Sequence, residues 1–216
     1  LARSRGLGDV YKRQMQVHLT RNPRPVSEWN VAVWSNDSFA PVNRETQDAV
    51  ERMGECFAAA GANVSDSARP DFEPSHSHDV FQRLLQSAMA SRLPDGDYAA
   101  LVARADSLSD NEQGWGAKTV RNQTARHRDW IAANEARTHL RWAWHRFFEE
   151  WDVLLTPMMA VPAFPHDQRP FSERRIDVDG ETRPYFEQVF WAGLIGVSLL
   201  PSTVVPAGLA STGTPI

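Results

Sequence analysis

Lysine is nearly missing from this chain: of 23 Lys and Arg residues, only Lys12 and Lys118 are lysines. The formal net charge is −4. An acidic chain binds phosphate poorly, so neither nucleic acid nor an anionic membrane is an expected partner. Cysteine is almost as scarce. The single Cys56 cannot close an intrachain disulfide, which fits a reducing compartment and a cytoplasmic location. Long apolar runs are also lacking. The longest candidate, VFWAGLIGVSLLP at 189–201, is interrupted by Gly193 and Gly196 and falls short of the roughly 20 residues that cross a bilayer.

Several catalytic signatures are absent. There is no Gly-x-Ser-x-Gly elbow, no Ser-x-x-Lys, no Ser-Ser pair and no glycine-rich phosphate loop, which removes the self-contained serine-hydrolase and nucleotide patterns. The glycines of GWG at 114–116 are too isolated to cradle phosphate. A Cys–His mechanism would have to use Cys56, which falls mid-helix near an apolar stripe and reads as a small buried hydrophobe. His76 and His78 would leave a helix on different faces, a poor arrangement for chelation, so no metal is expected. No other cofactor is implied. His139 reads as a surface or packing residue. His166 beside Asp167 reads as an oriented imidazole pair or as a loop-stabilising hydrogen bond.

Residues 1–14, LARSRGLGDVYKRQ, carry no apolar period and stop just before Met15. They resemble a translated adaptor remnant. Lacking an apolar h-region, they do not read as a secretory signal, although composition leaves a transit peptide open. Setting them aside removes four basic residues and one acidic residue, takes the formal charge to about −7, and leaves roughly 200 residues, enough for one domain with a real core.

What is present is an α/β pattern. WNVAVWS (29–35) alternates and reads as a strand. The segment 43–61 reads as a helix, with Asn43 as N-cap, Thr46, Val50, Met53 and Phe57 as its apolar stripe, and Gly61 just past its end. ANVSD (62–66) reads as a second strand, so the three make a βαβ unit with a parallel pair. Residues 74–92 read as a helix with Val80, Leu84, Leu85 and Met89 on one face, ended by Pro94. DGDYAALVARADSL is a further helix. From Ala117 to Trp151 the chain holds no proline, and Trp130, Arg137, Leu140, Trp144, Phe147 and Trp151 recur at helical spacing, an aromatic face that reads as core packing. A strand at 152–156 follows and stops at Pro157. Asp179-Gly180 between short alternating runs signals a tight hairpin. YFEQVFWAGLIGVSLL reads as a helix and STVVPAG as a buried strand. GTPI at the end looks like the start of another strand.

The order of these pieces carries more than any one of them. Trp144, Phe147 and Phe148 lead into WDVLLTP (151–157). PAFPHD (162–167), the hairpin and LPSTVVPAGLASTGTPI (200–216) follow. The arrangement resembles the C-terminal part of the amidase signature family, from about Trp29 onward. DVLLTP together with PSTVVPAGL at this separation is fairly specific, whereas either alone would be weak.

The resemblance implies a partial amidase-signature fold: a mixed β-sheet covered by helices, with a long aromatic-rich helical region and a small hairpin. It implies hydrolysis of carbon–nitrogen amide bonds by a Ser–cis-Ser–Lys triad. The family's nucleophile and lysine precede the strand matching NVAVW. With no Ser-Ser pair here and Lys118 in the wrong place, no triad residue carries over. Residues 15–216 are therefore expected to be the C-terminal portion of one amidase domain, truncated at both ends and inactive alone. A complete non-catalytic α/β binding module on the same scaffold is the alternative. In the family the strand matching DVLLTP ends near the substrate pocket, so Thr156, Pro157 and Met158 are candidates for its wall. Phe190 and Trp191 fall in a region lining the acyl side, where apolar rings would favour an apolar or aromatic amide. Simple core packing of all five stays open. The implied partner is a small-molecule amide substrate, and a homo-oligomer is left open.

Overall fold

The computed structural model describes residues 23–216, so the adaptor-like segment 1–14 lies outside the described residues. At the centre is β1 (Asn30–Val33), with three of its four residues buried. A strand covered on both faces suits the middle of a parallel sheet. Its neighbours β2 (Asn63–Ser65) and β3 (Val153–Leu155) both run parallel to it in the order β2-β1-β3, with Val31 opposite Val64 on one side and Val153 on the other.

The connection from β1 to β2 is α1 (Arg44–Ala59), completing the expected βαβ unit. The side chain of Asn43 accepts the N–H of Thr46 at 3.1 Å, which caps the first turn. At the other end Gly61 has φ +92°, and the N–H groups of Gly61 and Ala62 donate to Ala58 and Phe57, closing the last turn. A Cβ on Gly54 would lie 2.8 Å from Val33 Cγ2, so the close approach of α1 to β1 depends on glycine there. Cys56 corrects the sequence reading: it is exposed. The inward face of α1 runs through Thr46, Ala49, Val50 and Gly54. Two further residues rotate Cys56 by about 200° from Gly54, off that face.

The remaining helices are α2 (Pro74–Ala90), α3 (Asp95–Ser107), α4 (Trp115–Gln123), α5 (His127–Glu150) and α6 (Val189–Gly196). Pro74 occupies the first turn of α2, where a missing N–H costs nothing. Val80 is buried as expected, but Met89 is 53% exposed. Because α4, α5 and α6 all pack on α2, its buried side spreads through Ser77, Val80, Gln86 and Ala90 instead of following one stripe. The helical stretch expected from Ala117 to Trp151 divides at 124–126. The Thr124 hydroxyl donates to the Val120 carbonyl at 2.9 Å, a side-chain bond that competes with the backbone ladder, and Arg126 is extended. The expected aromatic face of α5 is core at its centre, where Leu140, Trp144 and Phe147 are buried and Trp144 meets Phe72, Phe147 and Phe148 ring to ring, whereas Trp130, Arg137 and Trp151 are only half-buried.

Beyond β3 stand β4 (Arg175–Val178) and β5 (Glu181–Pro184), an antiparallel ribbon of its own. Asp179 and Gly180 at its tip have φ +52° and +88°, the two left-handed positions of a type I′ turn. The Asp179 carboxylate accepts the N–H of Arg44 at 2.8 Å. The hairpin tip thus sits on the N-terminus of α1, where negative charge is favoured. Ile176 and Val178 enter the main core with Trp34, Trp144, Phe190 and Trp191.

The expected strand STVVPAG is not formed: residues 202–208 belong to no strand, and Val204 and Val205 are 71% and 54% exposed. A β pattern becomes a strand only in a ladder, and this segment pairs with neither outer edge of the parallel sheet. The chain end instead folds back on itself. The Ala207 N–H donates to Ile216, the Ile216 N–H donates to Gly208, and Leu209 bridges Pro215. Among the described residues, no helix is long and apolar enough to cross a membrane.

Candidate functional site

Parallel strands gather their following loops at one edge of the sheet, and ligands of α/β proteins bind there. In this protein the C-terminal ends are Val33, Ser65 and Leu155. Trp34 stands at their centre, 2% exposed. Its backbone N–H donates to the Leu155 carbonyl at 2.9 Å, a bond just beyond β3. Pro157, two residues on, has no N–H to extend pairing, and it restricts Thr156 to extended conformations. The chain then turns so that the Ala160 carbonyl accepts the Asn43 N–H at 2.8 Å. The abrupt end of VLLT thus ties the loop after β3 to the start of α1.

Two residues from other elements close over Trp34. The Arg69 guanidinium lies 4.9 Å from the centre of its ring and donates to the carbonyls of Val33 and Ala68. Desolvation lowers the pKa of Arg69 from its ordinary value, and Asp37 and Asp66 oppose the shift. From α6, Trp191 meets Trp34 edge-on at 5.9 Å. The Trp191 indole N–H donates to the Ala40 carbonyl at 3.2 Å.

The five residues expected at a substrate wall fall into two groups. Pro157 is buried, Thr156 is half-buried and Met158 is 51% exposed, all at the end of β3. Phe190 and Trp191 are each 1% exposed in the main core. Trp191, alone of the five, borders a cavity of about 10 Å³ together with Ala160, Arg183 and Glu187, a space fit for about one water. Arg183 is held there by Glu187 at 2.7 Å and Glu181 at 2.8 Å.

Next to Phe190 lie Phe39 and His78, at 5.5 and 6.0 Å between ring centres. Burial lowers the pKa of His78 from its ordinary value, against the pull of Asp79 and Glu187, and its Nδ1 is buried without a partner. His76, two residues earlier, is exposed, so the two imidazoles do face different ways. The pairing of Asp167 also differs from a His166–Asp167 couple. Arg169 grips that carboxylate at 2.6 Å, and this hydrogen bond holds its pKa down at about 2.

Sequence reasoning missed Gln188. It is 1% exposed, and both its amide nitrogen and oxygen lack partners. Its sequence signal is weak: Gln188 follows Glu187 and directly precedes the apolar run VFWAGLIG. Around the strand ends the aromatic rings are packed into the core, and Arg69 is the desolvated cation beside them.

Three comparisons agree with this architecture. A family model described as Amidase matches residues 9–216. An indoleacetamide hydrolase of Bradyrhizobium diazoefficiens is 26% identical over 201 residues, which cover 90% of this chain and 34% of that protein. The chain therefore spans about a third of that curated relative. The crystal structure of a bacterial aryl acylamidase of the amidase signature family superposes with a TM-score of 0.59 at 20% identity, covering 88% of this chain and 39% of that one. Because the family model matches nearly the whole of this chain, residues 9–216, the chain belongs to the amidase signature family.

Proposed function

We propose that this chain forms part of an enzyme hydrolysing the carbon–nitrogen bond of aromatic amides, and that it supplies the substrate-facing wall and none of the nucleophilic groups. The observation that carries the reading is the family match over residues 9–216. The relatives' names add the substrate class, since one acts on indoleacetamide and the other is an aryl acylamidase. Thr156 and Met158, at the end of β3, are the wall candidates nearest solvent, and buried Pro157, Phe190 and Trp191 are the apolar backing. Proline-locked backbone beside the reacting bond would hold substrate without an ordering cost at each turnover. The lone Cys56 favours a cytoplasmic setting.

The test is turnover of a simple aryl amide by the purified chain. Covalent amide hydrolysis needs an activated nucleophile, and the chain has neither a Ser-Ser pair nor a lysine at the family's position. No aniline release above background is expected. Turnover abolished by a hydroxyl-directed inhibitor would overturn the assignment of roles. A second reading, a non-catalytic binding module on the same scaffold, is consistent with a chain that has no Ser-Ser pair. It predicts calorimetric binding of the aryl amide by this chain alone, without hydrolysis.

A further inference from the structure

A second depression lies away from the strand ends, between the start of α2 and the outer side of α5. It encloses about 240 Å³, below the roughly 300–1,000 Å³ of sites for drug-sized molecules, so it suits a small ligand. Its floor is apolar: Leu140 and Ala143 are 2% and 4% exposed, and Phe72 backs them against Trp144. Trp142 forms one wall with 57% of its surface in water, and the His139 ring meets it edge-on at 5.3 Å. Polar groups ring the floor: His76 from α2, His139 and Arg146 from α5, and Asp71 from the loop before α2.

We propose that this groove binds a small aromatic carboxylate, its ring on the Phe72–Leu140–Ala143 floor beside Trp142 and its carboxylate on Arg146. An indole left in water over an apolar floor gains from covering by a flat ring. Arg146 offers a fork of N–H donors matched to a carboxylate. Its present partner holds it weakly: Asp71 stands 3.9 Å away with its side chain 96% exposed. An incoming carboxylate desolvated by the groove replaces that contact with a closer one. His76 and His139 add imidazole donors on the rim. None of these residues is among the strand-end candidates, so the groove is a separate site. Its ligand class stands on the lining alone. Only its kinship with the acid released by aryl-amide hydrolysis rests on the function proposed above.

Titration calorimetry on the whole chain tests this with 2-naphthoate, 2-naphthamide and cyclohexanecarboxylate as probes. The expected dissociation constant for 2-naphthoate is on the order of 1 mM, the scale for a ligand this small. The neutral amide and the non-aromatic acid should each bind at least about fivefold more weakly. Arg146→Gln and Trp142→Ala should each weaken naphthoate about tenfold. Both side chains are exposed, so neither change opens a core cavity. Asp71→Asn should tighten binding, a gain that misfolding cannot imitate. Equal affinity for acid and amide, no loss in either variant, or weaker binding by Asp71→Asn would overturn the assignment. Because binding is read directly, such a failure leaves the amide-hydrolysis reading standing, and inactivity in that assay leaves the groove standing.

Discussion

Trp191 is the residue through which the candidate wall and the core are joined, and its replacement separates the two roles. The ring is 1% exposed, meets Trp34 and Phe190 edge-on, and its N–H holds the Ala40 carbonyl. Trp191→Ala removes the whole ring from a packed site, a loss of about 3–5 kcal/mol. For a chain of this length each kcal/mol moves the melting temperature by roughly 2–4 °C, so a fall of about 6–20 °C is expected. Trp191→Phe keeps a ring but leaves the Ala40 carbonyl without its donor, a smaller cost of about 1–3 kcal/mol. Thermal unfolding followed by far-ultraviolet circular dichroism should rank the three proteins unsubstituted, Phe, Ala. A Trp191→Ala variant melting within about 2 °C of the unsubstituted chain would refute the reasoning, because a ring that can be deleted without loss is not core.

Gly54→Ala places a methyl 2.8 Å from Val33 Cγ2 and should cost about 1–3 kcal/mol; urea unfolding should show the cost shrinking in a Val33→Ala background, and simple additivity would contradict the contact. The lowered pKa of His78 means that its neutral form suits the fold. Its stabilising contribution is present above the unfolded value of about 6.5 and is lost as pH falls through the lower folded value. Melting temperature should therefore drop more between pH 7 and 5 for the unsubstituted chain than for His78→Phe, and parallel curves would contradict it. Leu199, Val204, Val205 and Leu209 are each more than half exposed, and among the described residues the parallel sheet has two unpaired edges, so the isolated chain should self-associate. Light scattering showing a monodisperse monomer would contradict that.

Local chemistry was legible in the sequence wherever a single residue type dictates backbone geometry. Asn43, Gly61, the Asp179-Gly180 turn and Pro157 each sit where capping and turn rules put them. The α/β class and the aromatic core of α5 followed from periodicity. Features set by tertiary neighbours were not legible. STVVPAG carries a strand pattern, but the pattern cannot say whether an edge is there to receive it. Met89 follows the apolar period of α2, yet packing on several sides of that helix left it outside. Cys56 lies next to Phe57 of the expected stripe, but the face that packs inward runs through Thr46, Ala49, Val50 and Gly54 and leaves Cys56 in water. The division at Thr124 has no proline or glycine to mark it, only a hydroxyl turned onto the preceding carbonyl. Among the wall candidates, sequence placed Thr156–Met158 at a strand end. It could not distinguish Phe190 and Trp191 as pocket from Phe190 and Trp191 as core.

The proposed division of labour, in which this chain supplies a wall and not the nucleophile, is tested most directly by intact-mass spectrometry of the purified chain after incubation with a hydroxyl-reactive fluorophosphonate. The unmodified mass is predicted, because none of this chain's serines is expected to be activated for attack. A stoichiometric adduct mapping to one serine, Ser77 or Ser198 included, would contradict it and place the nucleophile within these residues.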